Sequence, residues 1–162
     1  MKMCPILLLT LLLFTGCVTA QMPEGAQEPP QDANVVVLLS NEAPDAMYDA
    51  VYQALARDGY SFQQSDEARG TMRTAPKDIG DETMAYIEVF VDEHDQGSET
   101  RARAYWDVSG KMAAGLSAAS GIDATGASAA RWGERGRGSL AFAAMVEVLQ
   151  DVPHGEMDYI VD

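Results

Sequence analysis

The sequence predicts an α+β domain in which an antiparallel sheet of about four strands carries two amphipathic helices on one face. Apolar and polar residues alternate through 84–92 and again through 101–108, which is the period-two pattern of half-buried strands. In 43–58 and 139–151 the apolar residues instead recur every three or four positions, as on one side of a helix. Two such helices pack most economically together on one face of the sheet.

The domain is expected to begin with a strand and a helix. Val35–Leu39 is a continuous apolar run, which is typical of a buried strand. The helix starts at Asn41 or Ala43 and ends at Gly59, because glycine readily adopts the left-handed conformation that terminates helices. Two weaker extended segments follow at 60–64 and 70–74, with a turn at 65–67 between them.

The two alternating segments predict a β-hairpin. Their apolar residues have odd numbers in the first strand and even numbers in the second, and paired residues must share a face of the sheet. The sum of paired residue numbers is therefore odd. A two-residue turn at Gln96-Gly97 meets this condition, and it places Val89 beside Ala104 and Asp92 beside Arg101.

The second half of the chain contains a long glycine-rich stretch. Residues 110–138 hold seven of the fourteen glycines, which predicts a long loop with a short helix over Lys111–Ala119. A final helix is expected from Ser139 to Asp151, and Pro153 stops it. The tail at 159–161 is expected to add a short edge strand.

The N-terminus has the parts of an export signal. Lys2 precedes ten residues, Pro5 to Phe14, of which all but one are apolar; a membrane-spanning helix needs roughly 20. The next residues complete the run Phe14-Thr15-Gly16-Cys17, which resembles the lipobox at which bacterial lipoproteins are processed. The resemblance implies cleavage before Cys17, a diacylglyceryl group on its sulfur and a further acyl chain on its new amino group.

This resemblance divides the chain into a signal peptide at 1–16, the lipidated Cys17 with a disordered tether at 17–33, and a single α+β domain at 34–162. The tether is rich in proline and lacks apolar periodicity. The resemblance implies that the protein is anchored in a lipid bilayer through the acyl chains of Cys17. In the family's sorting rule, Val18 in place of an aspartate implies the outer membrane, facing the periplasm, if the host is Gram-negative. The alternative is an ordinary secretory signal cut after Ala20.

The charge of the chain restricts its partners. The sequence has 11 basic and 25 acidic residues, with a formal net charge of −14 at pH 7. Nucleic acid is therefore not expected to bind, and anionic lipid surfaces are poor general partners. A solvated acidic surface explains this composition, and adaptation to high salt is an alternative. Cys4 leaves with the signal and Cys17 carries lipid, so no disulfide is expected.

Few residues suggest chemistry. Glu93-His94-Asp95 groups residue types that bind divalent metals, but the second histidine, His154, has no ligand spacing to it. A polar hairpin turn is the favoured interpretation. No Gly-x-Ser-x-Gly nucleophile elbow is present. The sequence thus predicts no catalytic residue, no cofactor and no metal site.

One cluster of arginines stands out in this acidic chain. Residues 131–138 contain three of the eight arginines together with a tryptophan and several glycines. Since arginine binds phosphate and carboxylate groups bidentately, the cluster is a candidate docking site for an envelope protein or an anionic glycan. The candidate residues are Arg131, Trp132, Arg135 and Arg137. The alternative is that these arginines pair with nearby acids at the start of the last helix.

Three functional classes remain open. The first is a non-catalytic binding or assembly module of the cell envelope, anchored in the membrane. The second is a carrier or sensor of a small envelope ligand, which requires an apolar pocket between sheet and helices; the third, less favoured, is an enzyme with a polar cleft. The run Ala54-Leu55, Gly59-Tyr60 and 70–74 resembles small α+β domains of envelope lipoproteins, such as the lipoprotein subunit of the outer-membrane β-barrel assembly machine, and it implies no functional residue.

Overall fold

The computed structural model describes residues 20–95, 97–109, 126–133 and 136–162. These residues form an α+β domain with an antiparallel sheet and two helices, which confirms the predicted fold class. The described part of the sheet has eight strands, so the expectation of about four is wrong. The strands at 62–66, 71–74 and 156–160 overlap the weaker extended segments and the tail strand expected from the sequence. The strands at 77–78 and 128–129 were not predicted, because two residues are too few to show a period.

The elements follow one another in a simple order. The strands are β1 (Val35–Ser40), β2 (Phe62–Asp66), β3 (Thr71–Thr74), β4 (Lys77–Asp78), β5 (Thr83–His94), β6 (Gly97–Val108), β7 (Ser128–Ala129) and β8 (Glu156–Ile160). The helices are α1 (Pro44–Arg57), between β1 and β2, and α2 (Arg137–Gln150), between β7 and β8. The sheet order is β2-β3-β5-β6-β1-β8, while β4 pairs with β5 and β7 pairs with β6.

One face of the sheet is buried beneath both helices. The inward residues of the strands and the apolar residues of the helices form a single cluster. Its fully buried side chains include Leu38, Ile87 and Val89 from the strands, Met47, Val51 and Leu55 from α1, and Phe142, Met145 and Leu149 from α2. Burial of such apolar side chains is the main stabilising term for a domain of this size.

Strand β1, which lies between β6 and β8, is buried on both faces. Val36 and Leu38 point toward the helices and are 0% exposed. Val37 pairs with Arg101 of β6 and therefore lies on the opposite face, yet it is only 6% exposed. Its paired neighbours on that face are Arg101 of β6 and Asp158 of β8. The continuous apolar run that predicted a buried strand is explained by this position.

The β5–β6 hairpin has the predicted faces but a different register. Val89 pairs with Ala102 and Asp92 pairs with Glu99, so each partner is displaced by two residues from its predicted position. The last pair joins His94 with Gly97, which belongs to β6 rather than to the turn. A side chain on Gly97 would overlap the carbonyl oxygen of Ser40 at the end of β1. The close approach of β1 therefore requires a glycine at this strand position.

The helix boundaries agree with the sequence within three residues, and the start of α1 favours Ala43 over Asn41 as the residue before the helix. Pro44 is the first residue of α1, and the amide of Tyr60 donates to the carbonyl of Leu55 at 3.0 Å just after Gly59, as expected of the terminating motif. Helix α2 begins two residues before Ser139. The helix predicted over 111–119 lies outside the described residues.

Residues 20–33, predicted to belong to the tether, contact the domain. Met22 and Ala26 pack against the core, and Ala33 is 0% exposed. The amide of Asp32 donates to the carbonyl of Trp132 at 2.8 Å, and the amide of Trp132 donates to the carbonyl of Ala33 at 2.8 Å. We call residues 20–33 the N-terminal segment.

A buried tyrosine predicts how stability depends on pH. Tyr60 is 4% exposed, its hydroxyl has no hydrogen-bond partner among the described residues, and burial raises its pKa well above the usual value near 10. The folded state then holds this proton more tightly than the unfolded state, so its contribution to stability is present below pH 10 and is lost as the pH rises further. We expect Tyr60→Phe to preserve stability at pH 7 and to flatten the decline above pH 10.

Urea titrations of both proteins between pH 7 and pH 11 would measure this difference. Every other residue is the same in both proteins, so the difference between the two curves isolates Tyr60. Parallel declines of the unfolding free energy would contradict the assignment of the effect to Tyr60.

Candidate functional site

The sheet face opposite the helices is the candidate functional surface. We call it the open face, and its accessible side chains are Arg73 on β3, Tyr86, Glu88 and Phe90 on β5, and Arg101, Arg103 and Tyr105 on β6. The alternation of β5 and β6 turns these side chains away from the core. The face therefore combines aromatic rings with arginines, two side-chain types that are enriched in protein interfaces.

The strand register arranges the open face in rows. Arg73 pairs with Glu88, and Glu88 pairs with Arg103, so a carboxylate lies between two guanidinium groups across three strands. In the next row, Phe90 pairs with Arg101, which in turn pairs with Val37. Guanidinium, carboxylate and phenyl groups from β3, β5 and β6 thus lie side by side on this face.

The centre of the open face is a stack of one arginine and two tyrosines. The rings of Tyr86 and Tyr105 lie 4.9 Å apart at an angle of 9°, and the guanidinium carbon of Arg73 lies 4.4 Å from the centre of the Tyr86 ring. Arg73 also forms an ion pair with Glu88 at 3.3 Å. Stacking and cation–π contacts contribute about 0.5–1 kcal/mol each at exposed sites, which suffices to restrict the rotamers of these side chains.

The charges of the open face are balanced internally. Arg101 pairs with Glu99, and Arg103 pairs with Asp162 near the end of β8. Burial raises the pKa of Tyr86 and of Tyr105; the charge of Glu88 raises both further, while the charge of Arg73 partly opposes the shift at Tyr86. Both phenols are therefore protonated at neutral pH and able to donate hydrogen bonds.

One side of the open face has a shallow cleft and an exposed aromatic ring. The cleft has a volume of about 260 Å³ and is lined by Gln64, Thr71, Met72, Arg73, Glu88 and Phe90. Phe90 is 45% exposed, although large apolar side chains usually find more complete burial. The ring and the cleft together offer an apolar contact beside the charged row.

The predicted arginine cluster is only partly described. Arg131 is exposed, Arg137 is the half-buried first residue of α2, and Arg135 lies outside the described residues. Trp132 is half-buried, with its ring 6.3 Å from that of Phe142 in a tilted arrangement. The tryptophan thus has a packing role, and the docking site at these residues stays a prediction.

The turn between β5 and β6 contains the other cluster considered in the sequence. Glu93 and His94 are exposed residues at the end of β5, and Asp95 begins the turn. A nearby open cleft of about 520 Å³ is lined by Asp45, Glu67, Arg69, Asp92 and Glu93, among others. Across the described ranges, no three histidine, cysteine, aspartate or glutamate side chains are placed to hold a metal ion.

Cys17 lies outside the described residues, so its lipidation stays a prediction. None of the helices within 20–162 that the structure describes has the length and apolar character needed to cross a bilayer. Comparison of the chain with protein-family models and with curated proteins finds no match.

Sequence reasoning did not single out the open face as a site. The alternation in 84–92 and 101–108 predicted that Tyr86, Phe90, Arg103 and Tyr105 point away from the core, but not that Arg73 joins them. Arg73 comes from a short strand whose pairing with β5 is a property of the tertiary fold. The detectable signal was the set of outward aromatic and arginine residues in an acidic chain.

Proposed function

We propose that this protein is a lipid-anchored, non-catalytic binding module of the cell envelope and that the open face of its sheet binds a protein partner. The observation that carries the proposal is the stack of Arg73, Tyr86 and Tyr105 beside the exposed ring of Phe90. Arginine and aromatic side chains dominate binding energies in protein interfaces. The lipobox-like run ending at Cys17 supports the anchor and the envelope location.

The geometry supports binding because the side chains are held in place before a partner arrives. The arginine is fixed by a ring on one side and a carboxylate on the other, so less conformational entropy is lost on association. A protein surface fits better than an anionic glycan, since Arg73, Arg101 and Arg103 are already paired with carboxylates. A highly charged glycan would also gain no favourable contact from the apolar ring of Phe90.

The binding surface is tested by photo-crosslinking in the cells that naturally produce the protein. A photoreactive phenylalanine at position 90 is expected to form a discrete adduct with one protein. The same group at Glu82, an exposed position in the turn before β5, is the control for random encounters. Adducts of equal yield from both positions, or none from position 90, would contradict the proposal.

Substitution of the central arginine is the second part of this test. We expect Arg73→Ala to weaken binding of the crosslinked partner at least about tenfold, which is the range of interface hot spots. Stability should fall by less than about 1 kcal/mol, because the Arg73–Glu88 ion pair is partly exposed. Arg57→Ala, an exposed arginine on α1, is the matched control and should leave binding unchanged.

The anchor is tested separately by mass spectrometry of the membrane-extracted protein. The expected N-terminal peptide begins at Cys17 and carries the mass of a diacylglyceryl group and an amide-linked acyl chain. A peptide that begins at Gln21, after cleavage behind Ala20, would remove the anchor from the proposal.

A further inference from the structure

The N-terminal segment approaches the domain on the helix side. Pro23 lines a groove together with residues at the C-terminal ends of both helices. These residues are Ala54, Arg57 and Asp58 at the end of α1, and Glu147, Val148, Gln150 and Asp151 at the end of α2. Met22, one residue earlier, already packs against the core. The chain therefore reaches the domain at the helix ends, on the side away from the open face.

The segment then continues to the start of β1. Its far end is fixed by the hydrogen bonds that join Asp32 and Ala33 to Trp132, and Gln31 lies against Gly133, four residues before the first residue of α2. With contacts at Met22, Ala26 and Ala33, the segment is held at both ends and in the middle. It does not add reach between the domain and an anchor.

The remaining spacer between the lipidation site and the first contact is short. Only residues 18–21 separate Cys17 from Met22. Even a fully extended chain covers about 17 Å over these five steps. The headgroup region of one leaflet is itself roughly 5–8 Å thick. A lipidated Cys17 thus holds the groove at the helix ends close to the membrane surface.

The charges around the groove show what kind of contact this is. Asp58, Glu147 and Asp151 outnumber Arg57 and Lys77, which pairs with Asp58, so the groove has no electrostatic attraction for anionic lipids. The covalent anchor and the short spacer, rather than lipid recognition, determine how close this side lies to the bilayer.

We infer that the helix layer is the membrane-facing side of the domain and that the open face of the sheet points away from the membrane. This inference rests on the proposed lipidation of Cys17. The open face lies behind a helix about 10 Å in diameter and behind the sheet itself. A partner bound there is reached from the aqueous compartment, and the anchored domain presents Arg73 and Phe90 outward.

The test compares label positions on the two sides of the domain. Asp151→Cys lies at the helix groove and Arg101→Cys on the open face, and both native residues are exposed. The sulfur of an acylated Cys17 is a thioether and does not react with thiol reagents. Each lipidated variant is labelled with a fluorophore and placed in phosphatidylcholine vesicles that contain headgroup nitroxide lipids. We expect the label at 151 to lose most of its fluorescence and the label at 101 to keep it.

A longer spacer provides the matched control. A Gly-Ser linker of about 12 residues inserted between Thr19 and Ala20 adds roughly 20 Å of mean reach. Quenching at 151 should then fall to the level at 101. Equal quenching at both positions, or strong quenching at 151 that survives the insertion, would overturn the inference. Mass spectrometry of the same samples separates the proposals: an unacylated Cys17 would overturn both, and an acylated Cys17 with equal quenching would overturn the orientation alone.

Discussion

Replacing Phe142 by alanine is expected to lower the free energy of unfolding by about 3–5 kcal/mol. Phe142 is 0% exposed and is among the largest fully buried side chains of the domain. Its ring lies 6.3 Å from that of Trp132 and 6.2 Å from that of Tyr159. Phe142 therefore connects α2 with Trp132, which holds the N-terminal segment, and with β8. Truncation to alanine removes both contacts and leaves a cavity between α2, Trp132 and β8. A shift of α2 alone cannot fill this cavity.

Phe90→Ala is the matched control, since it removes the same side chain from an exposed position. Phe90 is 45% exposed, and its loss should change the free energy of unfolding by less than about 1 kcal/mol. Urea unfolding of both variants in a Cys17→Ser chain measures the difference. In the binding assay the opposite order is expected: Phe90→Ala weakens partner binding and Phe142→Ala does not. Equal losses of stability would contradict the packing of α2 described above.

Phe142 also supports the attachment of the N-terminal segment to the domain. Trp132, which packs on its ring, holds Asp32 and Ala33 by backbone hydrogen bonds. In Phe142→Ala the amides of Asp32 and Trp132 should exchange with solvent faster than those of β5, because local opening follows the loss of nearby contacts. The N-terminal segment would then loosen before the sheet does.

The sequence predicted the faces of the main hairpin but not its register. Alternation fixes which side of β5 and β6 is apolar, and hence which residues point outward. The register depends on Gly97, which lies against the backbone of Ser40 from a distant part of the chain. Such a close approach has no local signature, so turn preferences alone placed the hairpin two residues away.

Short and exposed elements were equally hard to predict. β4 and β7 have two residues each, too few to show any period. The N-terminal segment has three prolines among its residues, yet Met22 and Ala26 find places against the core. Isolated apolar residues in a polar stretch give no periodic pattern. Their contacts could not be predicted, because the surface on which they pack exists only in the folded domain. The open face was missed for the same reason, because Arg73 reaches Tyr86 only through the pairing of β3 with β5.

Gly70 provides the second prediction with a large effect, because its position is restricted in two ways. Its φ angle is +62°, in the left-handed region, and a Cβ atom there would overlap the carbonyl oxygen of Val91. The carbonyl of Gly70 also accepts a hydrogen bond from the amide of Val91 at 2.8 Å, which ties the start of β3 to β5. An alanine must therefore push the two backbones apart.

We expect Gly70→Ala to lower the free energy of unfolding by roughly 3 kcal/mol, about 1 from the φ angle and the rest from the displaced backbone. Gly59→Ala is the control, because Gly59 has a φ of +83° with open space at the Cβ position, and it should cost only about 1 kcal/mol. The displacement would shift Thr71 and Arg73 relative to Phe90 and Glu88, so Gly70→Ala should also weaken partner binding while Gly59→Ala does not. Equal losses of stability in the two variants would show that the φ angle alone matters and that β3 is free to move, in which case Arg73 is not held in place for binding.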